Sequence, residues 1–161
     1  MLNDEFRAVI EYPKDICACS IIVRMLEGLG YRFRYATEGL ELKDYEFSPG
    51  CKCMSIGKIM THIWGLMNWV CLNVIEEKRE CPDNFVTGRE QIFEMILRLR
   101  KHFKTIDDAQ LSDITIEGKS FWHLINGPLS DALTHVGQIN VFRRLAGNPP
   151  VNSCVFTMNA P

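Results

Sequence analysis

Apolar side chains recur at steps of three and four along most of this chain, which predicts amphipathic helices. Between residues 14 and 40 one stripe runs Ile16, Cys19, Ile22, Val23, Leu26, Leu29, Phe33, Ala36 and Leu40. Gly28 and Gly30 interrupt it, marking a kink or a close approach of another segment. After the turn Ser48-Pro49-Gly50, Ser55 is a suitable N-cap. The second stripe follows as Ile56, Ile59, Met60, Ile63, Met67 and Val70. His62 flanks that stripe and shares a face with Leu66 and Trp69. The polar stretch Glu76–Val86, with Pro82 inside it, reads as a connection. The box Thr87-x-x-Glu90 is expected to open a third helix, with Ile92, Phe93, Ile96, Leu97, Leu99 and Phe103 inward. The cations Arg98, Arg100, Lys101, His102 and Lys104 crowd its end, where they favour the helix dipole.

Residues 105 to 120 have no clear period, although Ile114-Thr-Ile-Glu-Gly suits a short extended piece and a turn. A fourth helix is expected over roughly 121 to 146, beginning or kinking at Gly127-Pro128. Gly147-Asn-Pro-Pro ends it, and residues 151 to 161 are expected to lie extended on the surface. Four long amphipathic helices and one long connection predict an all-α four-helix bundle. Each helix would span about 30 Å. The connection reaches about 36 Å when extended, enough to cross the bundle and leave helices two and three parallel.

The length of 161 residues suits a single domain, residues 1–161. A hydrophobic fraction of 47% and a charged fraction of 24% are ordinary for a globular protein. With a net charge of −2, no basic field points to nucleic acid. The uncharged run Ile59–Ile75 is shorter than the ~20 apolar residues of a membrane span and carries His62, Asn68 and Asn73. The seven cysteines lack C-x-x-C spacing, and Met-Leu-Asn-Asp-Glu is unlike a signal peptide. Both point to free thiols in a reducing cytoplasm.

Candidate chemistry centres on Asp131 and His135. Residues four apart lie on one helix face, so this carboxylate and imidazole can reach a single cation. Of the four histidines, only His135 has a ligand-type residue at either i−4 or i+4. A purely structural alternative makes Asp131 a first-turn acid and His135 a half-buried packing residue. A third ligand from a neighbouring helix would complete a two-His, one-carboxylate site with open positions. A di-iron bundle would need Glu-x-x-His pairs, and no Glu here stands three residues before a His.

The run Gly127-Pro-Leu-Ser-Asp-Ala-Leu-Thr-His-Val-Gly-Gln-Ile, with Phe142-Arg-Arg and Gly147-Asn-Pro, resembles the DinB/YfiT-like family of metal-dependent enzymes. So do Phe33-Arg-Tyr-Ala-Thr-Glu-Gly-Leu and Ser55-Ile-Gly-Lys-Ile-Met-Thr-His62. The resemblance covers nearly the whole chain. It implies a four-helix bundle with a crossover between helices two and three. It also implies a divalent metal (Zn, Ni or Fe) on His62, Asp131 and His135. Many members have a His where this chain has Asp131, while the related mycothiol-dependent isomerases have a Glu. The implied activities are thiol transfer using low-molecular-weight thiols and thiol-dependent isomerisation, and the implied assembly is a homodimer. A metal with open positions itself suits attack by thiolate on an electrophile or by hydroxide on a carbonyl, the chemistry of a transferase or a hydrolase on a small molecule. Gln138, one turn past His135, is expected to support the site or substrate, or else to pack as a helix amide. Trp69 is expected in the core or as a substrate platform. The alternative function is a non-catalytic metal-binding or interaction module on the same scaffold.

Overall fold

Ser55 starts the second helix: its hydroxyl accepts from the Lys58 N–H at 3.3 Å. The helix runs Ile56–Ile75 and buries every member of the second stripe, together with Cys71. In the computed structural model, which describes residues 2–161, this is one of four long helices. In chain order the elements are a 3-10 turn Leu2–Phe6, α1 (Ala18–Thr37), α2 (Leu42–Tyr45), α3 (Ile56–Ile75) and α4 (Phe85–Phe103). Then come α5 (Asp108–Asp113), the strands β1 (Thr115–Ile116) and β2 (Lys119–Ser120), α6 (Trp122–Leu124), a π-type turn Ile125–Leu129 and α7 (Ser130–Leu145). The protein is therefore mostly helical. None of the described helices is long and apolar enough to cross a membrane.

Two helix starts differ from the sequence reading. Ile16 lies outside α1 and is 91% exposed. The cause is tertiary: Asp108, on α5, accepts from the Ala18 and Cys19 N–H groups at 3.0 and 2.9 Å. Cys17 Sγ meanwhile accepts from the Ser20 N–H at 3.4 Å. These acceptors satisfy first-turn donors that have no partner within the helix, so the helix begins after Ile16. Likewise α4 begins ahead of Thr87, because Asn84 Oδ1 accepts from the Thr87 N–H at 3.1 Å. Asn is a stronger N-cap than Thr, and Thr87 becomes the third residue of the helix.

The long helices pack in a ring: α3 on α4, α4 on α1, α1 on α7 and α7 on α3. Side-chain pairs give their directions. Trp64 Nε1 donates to Gln91 Oε1 at 2.6 Å, and Arg98 pairs with Glu77 at 3.4 Å, so α3 and α4 ascend together. Between them the returning segment is fastened by Asn68, which accepts from the Arg79 N–H at 2.8 Å. On α1 and α4 the order is opposite. Arg89 meets Thr37 at 2.8 Å, whereas Lys104 meets Glu27 at 3.6 Å. The cations at the end of α4 thus do more than face the dipole: Arg100 also pairs with Glu5 at 3.2 Å.

Buried apolar side chains from all four long helices form one cluster. Phe6 is fully buried in it and stacks on Phe93 with ring centroids 5.7 Å apart. Gly30 permits this, because a Cβ there would stand 2.4 Å from Phe6 Cε1. At the far end, the buried Arg143 of α7 donates to the carbonyls of Ala36 and Glu38 at 3.0 and 2.7 Å. It also donates to that of Asn148 at 2.9 Å, and Asn148 in turn reaches the buried Asp44 carboxylate at 2.6 Å. This network fixes the position of α7 against α1. The segment expected to be irregular holds α5 and a two-residue hairpin turning at Glu117-Gly118, both with positive φ, as a primed turn requires. The tail is not simply extended. It turns at 155–157, and Met158, which is buried, accepts from the Val9 N–H at 2.9 Å.

Candidate metal centre

The break at Gly127-Pro128 sets the register of the last helix. Gly127 has φ −89° and ψ −105°, outside helical values. Pro128 has no N–H to offer. The Ser130 hydroxyl donates to the Ile125 carbonyl at 2.6 Å, which closes the interruption. From Ser130 the helix is regular, so Asp131 and His135 stand one turn apart on the face that meets α3.

That contact brings His62 to them. Donor atoms of His62, Asp131 and His135 all lie within 4.8 Å of one another. His62 Nε2 stands 3.1 Å from Asp131 Oδ2, and His135 Nε2 stands 3.4 Å from Asp131 Oδ1. The two rings meet edge to face, 4.7 Å between centroids. Tetrahedral zinc bonds of 2.0–2.1 Å to nitrogen and oxygen place neighbouring donors about 3.3 Å apart. Each of the two separations is near that value, but they run to different oxygens of Asp131, and the three donor atoms together span up to 4.8 Å.

Gln138 fixes the imidazole of His135. Its Oε1 lies 2.7 Å from His135 Nδ1, so Nδ1 donates and, in the neutral imidazole, Nε2 presents a lone pair. That lone pair faces a carboxylate oxygen, and two acceptors face to face repel each other. A cation between them, or a proton on Nε2, reverses the sign. His135 is only 8% exposed, so solvent reaches the pair mainly from the Asp131 side. The side chains of His62 and Asp131 are 43% and 45% exposed, which leaves the outer side of the cluster open to solvent. The donor set is mixed imidazole and carboxylate, suited to a borderline divalent cation.

Beside the cluster lies an open cleft of about 510 Å³, which Asp131 joins to the site. Leu66, Trp69 and Pro128 supply its apolar walls, and Asn126, Ser130 and Thr134 its polar ones. Trp69 is 36% exposed and stands at the cleft instead of in the core. The wall residues Asn126, Ser130 and Thr134 escaped the sequence reading. The Gly-Pro pair marked a break there, but only packing of α7 on α3 turns the break into a wall.

No cysteine joins the cluster among the described residues. Burial pushes the Cys19 thiol up to about 11 and that of Cys71 up to about 12, which keeps both protonated and inert near neutral pH. Compared with family models, with curated proteins and with solved structures, the chain finds no match.

Proposed function

We propose that this chain is a DinB/YfiT-like four-helix bundle that holds a divalent transition metal on His62, Asp131 and His135. We propose further that it acts on a small molecule, as a thiol transferase or a hydrolase. The bundle reading is supported by the ring of helix contacts and by the shared direction of α3 and α4, which a crossover through residues 76–84 would produce. The metal reading rests on one observation: donor atoms of His62, Asp131 and the buried His135, drawn from two helices, gather within 4.8 Å of one another.

When bound, a divalent cation acts as a Lewis acid and lowers the pKa of a water or thiol presented to it. The protein's own groups supply the rest. Asp131 and the two imidazoles leave the solvent side of the cluster uncovered. Gln138 orients His135 through Nδ1. Leu66, Trp69 and Pro128 form an apolar wall that excludes water from one side of a substrate in the cleft. The seven cysteines are free thiols, in keeping with a reducing cytoplasm. A low-molecular-weight thiol as co-substrate and a homodimer complete the proposal.

A second reading is favoured by the cleft itself. Its lining holds no acid or base other than Asp131, so no further side chain there transfers a proton. On this reading the bundle binds metal or a partner without catalysis. Elemental analysis of protein purified without a metal-affinity tag tests both. We expect about one divalent transition metal per chain, lost in Asp131→Ala and in His135→Ala. Folded protein without metal, and unable to take up added zinc or nickel, would end the metal reading. Loaded protein inert toward thiol-transfer and ester substrates would leave the second.

A further inference from the structure

A second cavity, of about 340 Å³, lies between α2, α3 and the start of α4, and none of the three candidate metal ligands lines it. Tyr45 and Arg89 face it with Met60, Trp64, Phe85 and Gly88. Arg89 is held from two sides. Its Nε donates to Thr37 Oγ1 at 2.8 Å, and its guanidinium sits 4.9 Å from the centroid of the Phe93 ring. Its Nη2 is buried and has no hydrogen-bond partner. The Tyr45 hydroxyl, on a ring packed 3.8 Å from that of Phe85, is also buried and without a partner.

Among the described residues, no carboxylate lies within ion-pair distance of Arg89. Its neighbour Arg34 is paired with Glu38 at 3.2 Å and Asp4 at 3.8 Å, so those acids are engaged. Burial pulls the Arg89 guanidinium below its usual range and pushes the Tyr45 hydroxyl up. Buried cations are ordinarily paired, and buried donors ordinarily satisfied. Trp64 Nε1 is already used by Gln91, and Thr61 and Asn84 are exposed, so the Tyr45 hydroxyl and Arg89 Nη2 are the buried groups in the lining with capacity left. The first turn of α4, which also lines the cavity, adds the positive end of its dipole.

We propose that this cavity binds a small anionic group, a carboxylate or a phosphate, held by Arg89 Nη2 and the Tyr45 hydroxyl. Planar guanidinium groups match both geometries. The exposed Asp83, also in the lining, is the one acid there and opposes the ligand.

The test is titration of the full chain with inorganic phosphate and, separately, with acetate, against chloride at matched ionic strength. The readouts are calorimetry and the denaturation midpoint, which a ligand of the folded state raises. We expect at least one anion to bind beyond chloride, and the two arms distinguish a tetrahedral from a planar preference. Arg89→Gln and Tyr45→Phe should each weaken binding about tenfold or more, while Asp83→Asn should tighten it. Tyr45→Phe keeps the ring against Phe85, so it serves even where Arg89→Gln folds poorly. The proposal is overturned by any of three results: neither anion exceeds chloride, all variants respond equally, or crystals grown with phosphate show only water between Arg89 and Tyr45.

Discussion

Replacing Gln138 by Leu removes one hydrogen bond and leaves all three candidate ligands in place. In the wild-type structure the Gln138 Oε1 accepts from His135 Nδ1 at 2.7 Å, and the His135 side chain is only 10% exposed. Solvent therefore cannot readily replace the lost acceptor. Leaving a buried donor unsatisfied costs about 1–3 kcal/mol, a factor of about 5 to 150 in a dissociation constant. Loss of an outer partner of a metal-bound His typically costs 10- to 100-fold, which falls inside that window. We therefore expect Gln138→Leu to weaken zinc binding about 10- to 100-fold, and Gln138→Glu, which keeps an acceptor, to retain it. Competition with a chromophoric chelator at fixed pH measures this, with circular dichroism as the check on folding. If Gln138→Leu binds within about threefold of wild type while Asp131→Ala does not bind, the His135 tautomer is not set by Gln138 and the central inference about Nε2 fails.

Two further predictions concern α1. A Cβ at Gly28 meets nothing within 4 Å, whereas one at Gly30 stands 2.4 Å from Phe6. Gly28→Ala should raise stability by about 0.5–1 kcal/mol through helix propensity, and Gly30→Ala should lower it by about 1–3 kcal/mol through overpacking, both read by urea denaturation. Asp108 is held below the usual carboxylate range, first by the Cys19 N–H and then by that of Ala18. A depressed carboxylate stabilises the fold above its unfolded pKa of about 4, and that stabilisation disappears as pH falls through the folded value. Asp108→Asn should accordingly destabilise at pH 7 and converge on wild type in strong acid. An unchanged gap across that range would refute the capping role.

Much of the secondary structure was legible because its cues are local. Ser55 caps the helix it was expected to cap, and the stripe from Ile56 to Val70 is the buried stripe. The extended piece at 114–118 turns where Glu117-Gly118 suggested. The pairing of Asp131 with His135 follows from helix pitch alone. Local cues failed where a distant group intervened. Asp108 ends the helix short of Ile16, and Asn84 competes successfully with Thr87. No spacing rule linked Phe6 to Gly30, or Arg89 to Tyr45, because each pair joins separate segments.

By itself the sequence determined helical periodicity, several caps and the common face of Asp131 and His135, all of which depend on neighbours within a turn or two. Only tertiary structure decided that His62, 69 positions before Asp131, stands beside them. It also turned Gln138 toward His135 and opened a cleft at the Gly127-Pro128 break. The reason is rotational: the pitch of a helix follows from its own backbone, but which face it turns to another helix depends on how both stripes pack in one core.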